Sequence, residues 1–558
     1  MSFKSIVVLT VGAALVAAGC SSSSKTATPP SSTAGASTST TATAGNYIRP
    51  TCIRTTSAPP RATPVPGSTS DYDVTSFDGT LIRVHWFPLA SSATKPAPTV
   101  LEGPGWGSPG STNTKPTGTD LFNAVGIYRL HQQGYNVLTW DPRGFGASGG
   151  NVESDSPDYE GRDVQWLIDW VAKQPGVQLD RAGDPRMGMV GVSYGGGIQL
   201  VTAAIDCRVD AIVPQIAWHS LSTSLYKADT VKSGWGNLLY TLAANHKVDP
   251  HITSSYNAGN TTGVLSAADR QWFLDRGPAD LVSKITAPTL FEQGTVDTLF
   301  TLDEAVTNYD LLKAKGVPTA MLWMCSGHGV CLTNGGDVKR AGDAAIAWLD
   351  RWVKDDTGQP VAPALEYVDQ NGTSFTATEF PPPASTPITA TGAGDLTLQA
   401  TGGAGPAHAT ATMGGLGASV LSITPARANN AVNVPISADA AAHIVGAPKL
   451  TLEYSGPAYT GSAADPHPDR VFAQLVDEAT GVVLGNQITP IDVTLDGKSH
   501  TTTVPLEMVA FTTKPGSLLT LQLVATTTAY AQPRLHDRTV HFTSISVELP
   551  TVTGVTQK

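Results

Sequence analysis

Residues Met187 to Val192, M-G-M-V-G-V, run straight into S-Y-G-G-G, and a helical run from Gly195 to Ile205 follows at once. Within this stretch Gly191 to Gly195 reads G-V-S-Y-G and fits G-x-S-x-G. The pattern alone arises by chance in Gly-rich turns. Its flanks decide the reading: an apolar strand in front and a helix behind are the setting of a nucleophile elbow, where two glycines permit a cramped turn that lifts the serine above a sheet. The helix N-terminus beneath Ser193 then favours negative charge developing on a substrate.

Working outward, short β-rich runs recur at Val84 to Phe87, Thr99 to Glu102, Asn136 to Asp141, Ala211 to Ala217, Pro288 to Gln293 and Ala320 to Met324. Helical patterns lie between them: Val164, Leu167, Ile168 and Val171 stand at i, i+3, i+4 and i+7. This alternation predicts a parallel sheet covered on both faces, an α/β-hydrolase fold. The interval from about 218 to 286 breaks the rhythm and is expected to form a helical cap over the site.

A serine nucleophile needs a base and an orienting acid, which this fold supplies in the order Ser, Asp, His. G-T-V-D-T-L-F puts Asp297 just after one core strand, and G-H-G puts His328 just after the next. Asp303 and Asp310 read as the polar face of a following helix, and His219 and His246 fall in the cap interval. The expected triad is Ser193, Asp297 and His328. The oxyanion donors are expected to be the Tyr194 N–H and a second group, Gly105 or Trp106, from the loop G-P-G-W-G. No metal or organic cofactor is needed for such chemistry. Cys325, His328 and Cys331 are all metal-ligand types, but a fourth ligand at recognisable spacing is missing.

These pieces together resemble the X-Pro dipeptidyl-peptidase and cocaine-esterase (CocE/NonD) family of α/β-hydrolases. The resemblance rests on S-F-D-G-T-L-I-R-V (76–84), W-D-P-R-G-F-G-A-S-G-G (140–150), Y-E-G-R-D-V-Q-W-L-I-D-W from Tyr159, the elbow, the acid loop and G-H-G. It implies a Ser-His-Asp hydrolase acting through an acyl-enzyme, with a helical cap and a jelly-roll-like β-sandwich. Members cleave dipeptides after proline, acyl esters or side-chain amides. Some use a Tyr hydroxyl in the oxyanion loop, where this sequence has Trp106, so an indole N–H or a backbone amide has to stand in. A broad ester or amide hydrolase is the first expectation and an X-Pro dipeptidyl-peptidase the second. The dipeptidase must hold an α-ammonium, for which Glu102, Asp229 and Asp249 are the available carboxylates, whereas Trp218, Trp235 and Trp272 suit an apolar acyl pocket. A non-catalytic ligand-binding lipoprotein is the alternative of another class.

The ends of the chain carry different information. Lys4 precedes a thirteen-residue apolar run, Ile6 to Ala18, and L-V-A-A-G-C ends at Cys20. The run is too short to span a bilayer as a helix. With a cysteine after small residues it resembles the lipobox of bacterial lipoproteins, so Cys20 is the expected acylation site and residues 1–19 the signal peptide. Residues 20–68 form a Ser/Thr/Pro-rich tether, with fifteen Ser or Thr among the twenty-six residues 21–46. The expected location is the outer face of the cytoplasmic membrane, through an N-terminal lipid anchor, with extracellular release as the alternative. Four further cysteines in an exported chain suggest two disulfides, with three possible pairings. The six-residue spacing makes Cys325–Cys331 the simplest choice, which leaves Cys52 with Cys207.

All eleven tryptophans precede residue 353, and beyond about residue 360 alternating runs such as K-L-T-L-E-Y and L-L-T-L-Q-L-V predict antiparallel strands. The catalytic domain is therefore assigned to residues 69–360 and an all-β domain to 361–558. The 558 residues carry a net charge of −11, with 15% charged and 41% apolar, a globular composition whose acidic balance argues against nucleic acid as a partner. A small-molecule ester, amide or peptide is the expected substrate.

Overall fold

The computed structural model describes residues 47, 49, 51–52, 60–116, 124–408, 415–462 and 465–558. The signal peptide, Cys20 and most of the tether lie outside the described residues. Among the described residues no helix is long and apolar enough to cross a membrane.

A 12-stranded sheet organises the catalytic half. Seven neighbouring strands run parallel: Asn136–Trp140, Thr99–Gly103, Met187–Val192, Ala211–Gln215, Thr289–Gly294, Thr319–Met324 and Leu365–Val368. Ala62–Pro64, Asp71–Thr75 and Leu81–Phe87 extend one edge in antiparallel fashion. The parallel strands are nearly continuous apolar runs because both faces are covered. One face packs Leu167, Ile168, Leu200, Leu302 and Leu312 of the helices, and the other packs Ile127, Leu130, Ile346 and Leu349.

Two boundaries differ from the expectation. The folded body starts inside the assigned tether: Ala62–Pro64 pairs with Tyr72–Val74, and Arg49 reaches Asp180 and Asp210 at 3.3 and 3.1 Å. The sheet also runs past residue 360. Leu365–Val368 joins its parallel part, Ser374–Ala377 pairs back on it, and Val555–Gln557 returns from the far end of the sequence to pair with Ser374–Ala377. Composition changes near residue 360, but strand membership is set by the partner and not by composition.

The interval 218–286 holds four short helices, Leu221–Leu225, Ser233–Leu242, Pro250–Thr261 and Ala267–Leu274, and a small hairpin of Tyr226–Lys227 with Thr230–Val231. They cover the elbow end of the sheet, with Trp218, Trp235 and Trp272 in one cluster beside Tyr194. The C-terminal region forms two four-stranded antiparallel sheets, one built on Lys449–Ser455 and Thr539–Leu549 and the other on Arg470–Asp477 and Ser517–Val524. Their inward residues, among them Leu450, Leu452, Leu475, Leu521 and Ile545, make a separate core, as period-two alternation requires. The molecule is thus an α/β-hydrolase fold followed by a β-sandwich.

Candidate active site

Ser193 sits between the strand Met187–Val192 and the helix Tyr194–Ile205 with φ +58° and ψ −115°. Such a backbone costs about 1–3 kcal/mol and persists only where its surroundings impose it. Here the Ser193 N–H donates to the Gln215 carbonyl at 2.9 Å, and the Ser193 carbonyl accepts the Gly196 and Gly197 N–H groups. A Cβ on Gly195 would lie 2.0 Å from the Gly103 carbonyl oxygen, and one on Gly191 would lie 2.6 Å from it. The two glycines therefore allow the oxyanion strand to press against the elbow, in addition to easing the turn.

His328 Nε2 stands 2.8 Å from Ser193 Oγ, and its Nδ1 stands 2.7 Å from Asp297 Oδ2. Asp297 is fully buried. Its Oδ2 also accepts the His328 N–H, while Oδ1 accepts the Leu299 and Phe300 N–H groups at 3.0 and 2.8 Å. These donors fix the carboxylate before it orients the imidazole. The glycines around His328 serve the same packing: a Cβ at Gly327 would lie 2.8 Å from the Asp297 side chain, and one at Gly329 would lie 1.8 Å from the Val296 carbonyl. Trp235 and Phe300 flank the imidazole with ring centroids at 5.7 and 5.1 Å. Of the rival groups, His219 bonds Asn308, His246 packs on Phe145, and Asp303 faces Lys227.

The oxyanion side needs one correction. The Trp106 indole N–H donates to the Leu239 carbonyl of the cap at 3.0 Å, and its ring packs on Phe145 and Tyr194. The indole is therefore committed to the cap and does not replace a Tyr hydroxyl. Backbone donors remain: Tyr194 is the first residue of its helix, where the N–H has no intrahelical acceptor, and a Cβ at Gly105 would meet nothing within 4 Å. The cysteines pair as Cys52–Cys207 and Cys325–Cys331. The second bridge brackets His328 and occupies both thiols of the metal reading. Among the described residues no group of three or more His, Cys, Asp or Glu side chains could hold a metal ion.

The motifs that carried the resemblance meet in one buried network. Arg143 forms a fork on Asp163 at 2.9 and 2.7 Å and reaches Asp78 at 2.7 Å, while Ser76 donates to Asp163. Glu160, one turn earlier on that helix, accepts the Glu153 and Ser156 N–H groups and the Tyr194 hydroxyl. Burial pushes its carboxyl up to about 8. These residues brace the elbow from beneath, so the motifs are scaffold as much as chemistry. Their partners lie on separate segments, so spacing along the chain carries no sign of this task.

A cavity of about 920 Å³, part of it open to solvent, begins at Ser193. Trp106, Trp218, Leu221, Leu225, Leu239 and Phe300 give it an apolar wall. Among the described residues Lys232 is the one charged side chain along it, and no carboxylate lines it. Lys232 is buried, donates to the Leu299 carbonyl at 2.9 Å, and is pushed down to about 8 by burial. The carboxylates considered for an α-ammonium stand elsewhere: Asp229 pairs with Arg270, Asp249 caps a helix at His251, and Glu102 lies in the strand Thr99–Gly103 off the cavity wall. Of the three cap tryptophans only Trp218 lines the cavity. Trp235 donates to Thr298 Oγ1 behind the imidazole, and Trp272 stacks on His251.

Comparison with known proteins agrees with this fold. Residues 78–330 match the family model described as X-Pro dipeptidyl-peptidase (S15 family), which bears out the resemblance read from the sequence. A CocE/NonD family hydrolase from Staphylococcus aureus superposes with a TM-score of 0.62 at 13% identity, covering 87% of this chain and 93% of that one. An α-amino acid ester hydrolase superposes with a TM-score of 0.63 at 12% identity, covering 91% and 98%. At those identities the likeness speaks to fold. Among curated sequences, an uncharacterized 31.7 kDa protein of Escherichia coli is 36% identical over 87 residues, 16% of this chain and 29% of that protein. The chain thus spans less than a third of that relative's length.

Proposed function

We propose that the protein is a serine hydrolase of ester bonds, and secondarily amide bonds, whose acyl side is bulky and apolar. The observation that carries this reading is the assembled Ser193–His328–Asp297 chain opening onto an apolar cavity with no carboxylate on its wall among the described residues. His328 takes the Ser193 proton as Oγ attacks the carbonyl, and Asp297 stabilises the imidazolium that forms. The tetrahedral oxyanion is met by the Tyr194 N–H and a backbone N–H of the Gly105–Trp106 segment. His328 returns its proton to the leaving group, an acyl-enzyme remains, and water activated by His328 releases the acid. An X-Pro dipeptidyl-peptidase would have to seat an α-ammonium, and no described carboxylate on the cavity wall is there to pair with it. A purely ligand-binding role leaves the Ser–His–Asp alignment without a purpose.

Steady-state hydrolysis of p-nitrophenyl hexanoate and of an X-Pro-p-nitroanilide, with Ser193→Ala as control, tests the reading. The expected outcome is ester turnover at least about 10³-fold above the variant and little anilide turnover. Anilide cleavage that disappears on blocking the free amine would reverse the assignment, and loss of both activities together with no fluorophosphonate labelling of Ser193 would return the protein to the binding class.

The same proposal places the enzyme in the cell envelope, anchored through Cys20 on a leash rich in Ser and Thr. Two or more acyl chains suffice for stable attachment. Cell fractionation should find the protein with membranes, and Cys20→Ser should move it to the soluble fraction; an unchanged distribution would remove the anchor from the account.

A further inference from the structure

No described residue of the β-sandwich lines the cavity, yet one of its turns reaches the triad. Between the strands Arg470–Asp477 and Thr489–Asp492 the chain makes a tight turn, Leu484–Asn486, with Gly485 and Asn486 at φ +62° and +55°. Asn486 and Gln487 are both buried. The Gln487 side-chain amide donates to the main-chain carbonyl of Asp297 at 2.8 Å. The neighbouring Asn486 amide donates to the main-chain carbonyl of Val330, two residues beyond His328, also at 2.8 Å. One two-residue step of the second domain therefore holds the acid loop with one hand and the base loop with the other.

The turn is itself fixed from behind. The Gly485 N–H donates to Gln370 Oε1 at 2.8 Å, Gln370 Nε2 donates to the Val483 carbonyl at 3.2 Å, and the Thr333 hydroxyl donates to the Gln370 carbonyl. A Cβ at Gly485 would lie 2.9 Å from the Thr295 carbonyl, so the turn lies directly against the acid loop. The Asp297 carboxylate is oriented by donors of its own loop and of His328. The two loops also meet where Gly329 packs on the Val296 carbonyl; the remaining span, from the main chain at Asp297 to that at Val330, is not bridged by those contacts. That distance is spanned by Gln487 and Asn486, and a displacement of about 1 Å in such a constellation can cost about 10²-fold in rate.

We infer that Asn486 and Gln487 are positioning residues for the Asp297–His328 pair, so that hydrolysis depends on the β-sandwich although the sandwich touches no substrate. The inference rests on the proposed serine hydrolase reading for its kinetic consequence and on geometry alone for its structural one. It makes the C-terminal domain a working part of the site and not only a neighbour of it.

The test uses the full chain with Gln487→Met, which keeps length and volume but has no donor, and Asn486→Gly, which keeps the left-handed backbone and removes the amide. Active sites are titrated by the p-nitrophenol burst, so that rates refer to folded enzyme. Each variant is expected to lose about 10- to 100-fold in kcat per titrated site with KM within about 3-fold, and the double variant to lose little more than the worse single one, because both act on one alignment. A second readout needs no turnover: the far-downfield Nδ1–H proton of His328, bonded to Asp297, should move upfield or broaden in both variants. Wild-type kcat per titrated site with an unmoved resonance would overturn the inference and leave the amides as domain glue. Absence of ester turnover in the wild type would sink the ester-hydrolase reading, while the resonance would still decide the positioning role.

Discussion

Trp106 shows how a single side chain can carry a motif position and a different task. A tryptophan in the oxyanion loop offers an N–H where the resemblance leads one to expect a Tyr hydroxyl in some members, and from sequence the two are interchangeable. Its actual acceptor, the Leu239 carbonyl, comes 133 residues later from the cap, so nothing local announces it. Trp106→Phe should therefore lower kcat by less than about 3-fold and act mainly on KM through the cap, whereas loss of a true oxyanion donor costs about 10²–10³-fold. Steady-state kinetics on the variant separates the two. Ser193, Asp297 and His328, by contrast, were legible because each closes a core strand that is readable as an apolar run. Asn486 and Gln487 were not, since a side-chain amide bonding a remote carbonyl leaves no pattern of spacing.

At the scale of elements, the strand Thr289–Gly294 combines two demands. It delivers Asp297 to the site, and it buries Glu292, whose carboxyl is pushed up to about 8 by burial, against the opposing pull of Arg340 and Arg129. Glu292 thus keeps its proton in the folded state over a range in which the unfolded chain has lost it, from the ordinary 4.5 to about 8. Folded protein binds more protons there, so stability from this group is fully present below 4.5, falls as pH rises, and is gone above about 8. Glu160, under the elbow and also pushed up to about 8 by burial, acts in the same sense and window. The thermal midpoint is expected to decline between pH 5 and pH 8, and Glu292→Gln to flatten that decline; a variant profile parallel to the wild type would contradict the assignment. Strand positions in the sheet centre were readable because strands covered on both faces are apolar throughout. Leu365–Val368 and Val555–Gln557 were assigned to the wrong domain for a physical reason: a short strand carries no mark of which sheet edge it will meet.

At the scale of the molecule, the two domains are fastened across cap, site and sheet. Lys227 of the cap hairpin meets Glu507 at 2.6 Å, Arg470 donates to the Ala228 carbonyl and Thr230, and the Gly234 N–H donates to the Ala529 carbonyl. A chain ended at residue 378 keeps the triad and the parallel strands but loses all of these, together with Asn486 and Gln487. It should label with fluorophosphonate at no more than about 1% of the full-length rate, the loss expected of a misplaced constellation; wild-type labelling would show the domains to be independent. The return of Val555–Gln557 to pair with Ser374–Ala377 has a consequence in time. When His328 leaves the ribosome the triad is complete as sequence, but the amides that align it and the strand that closes its sheet are still to be made. At about 5–20 residues per second that interval is roughly 10–45 s. For that long the nascent chain carries the triad residues ahead of the amides proposed to align them.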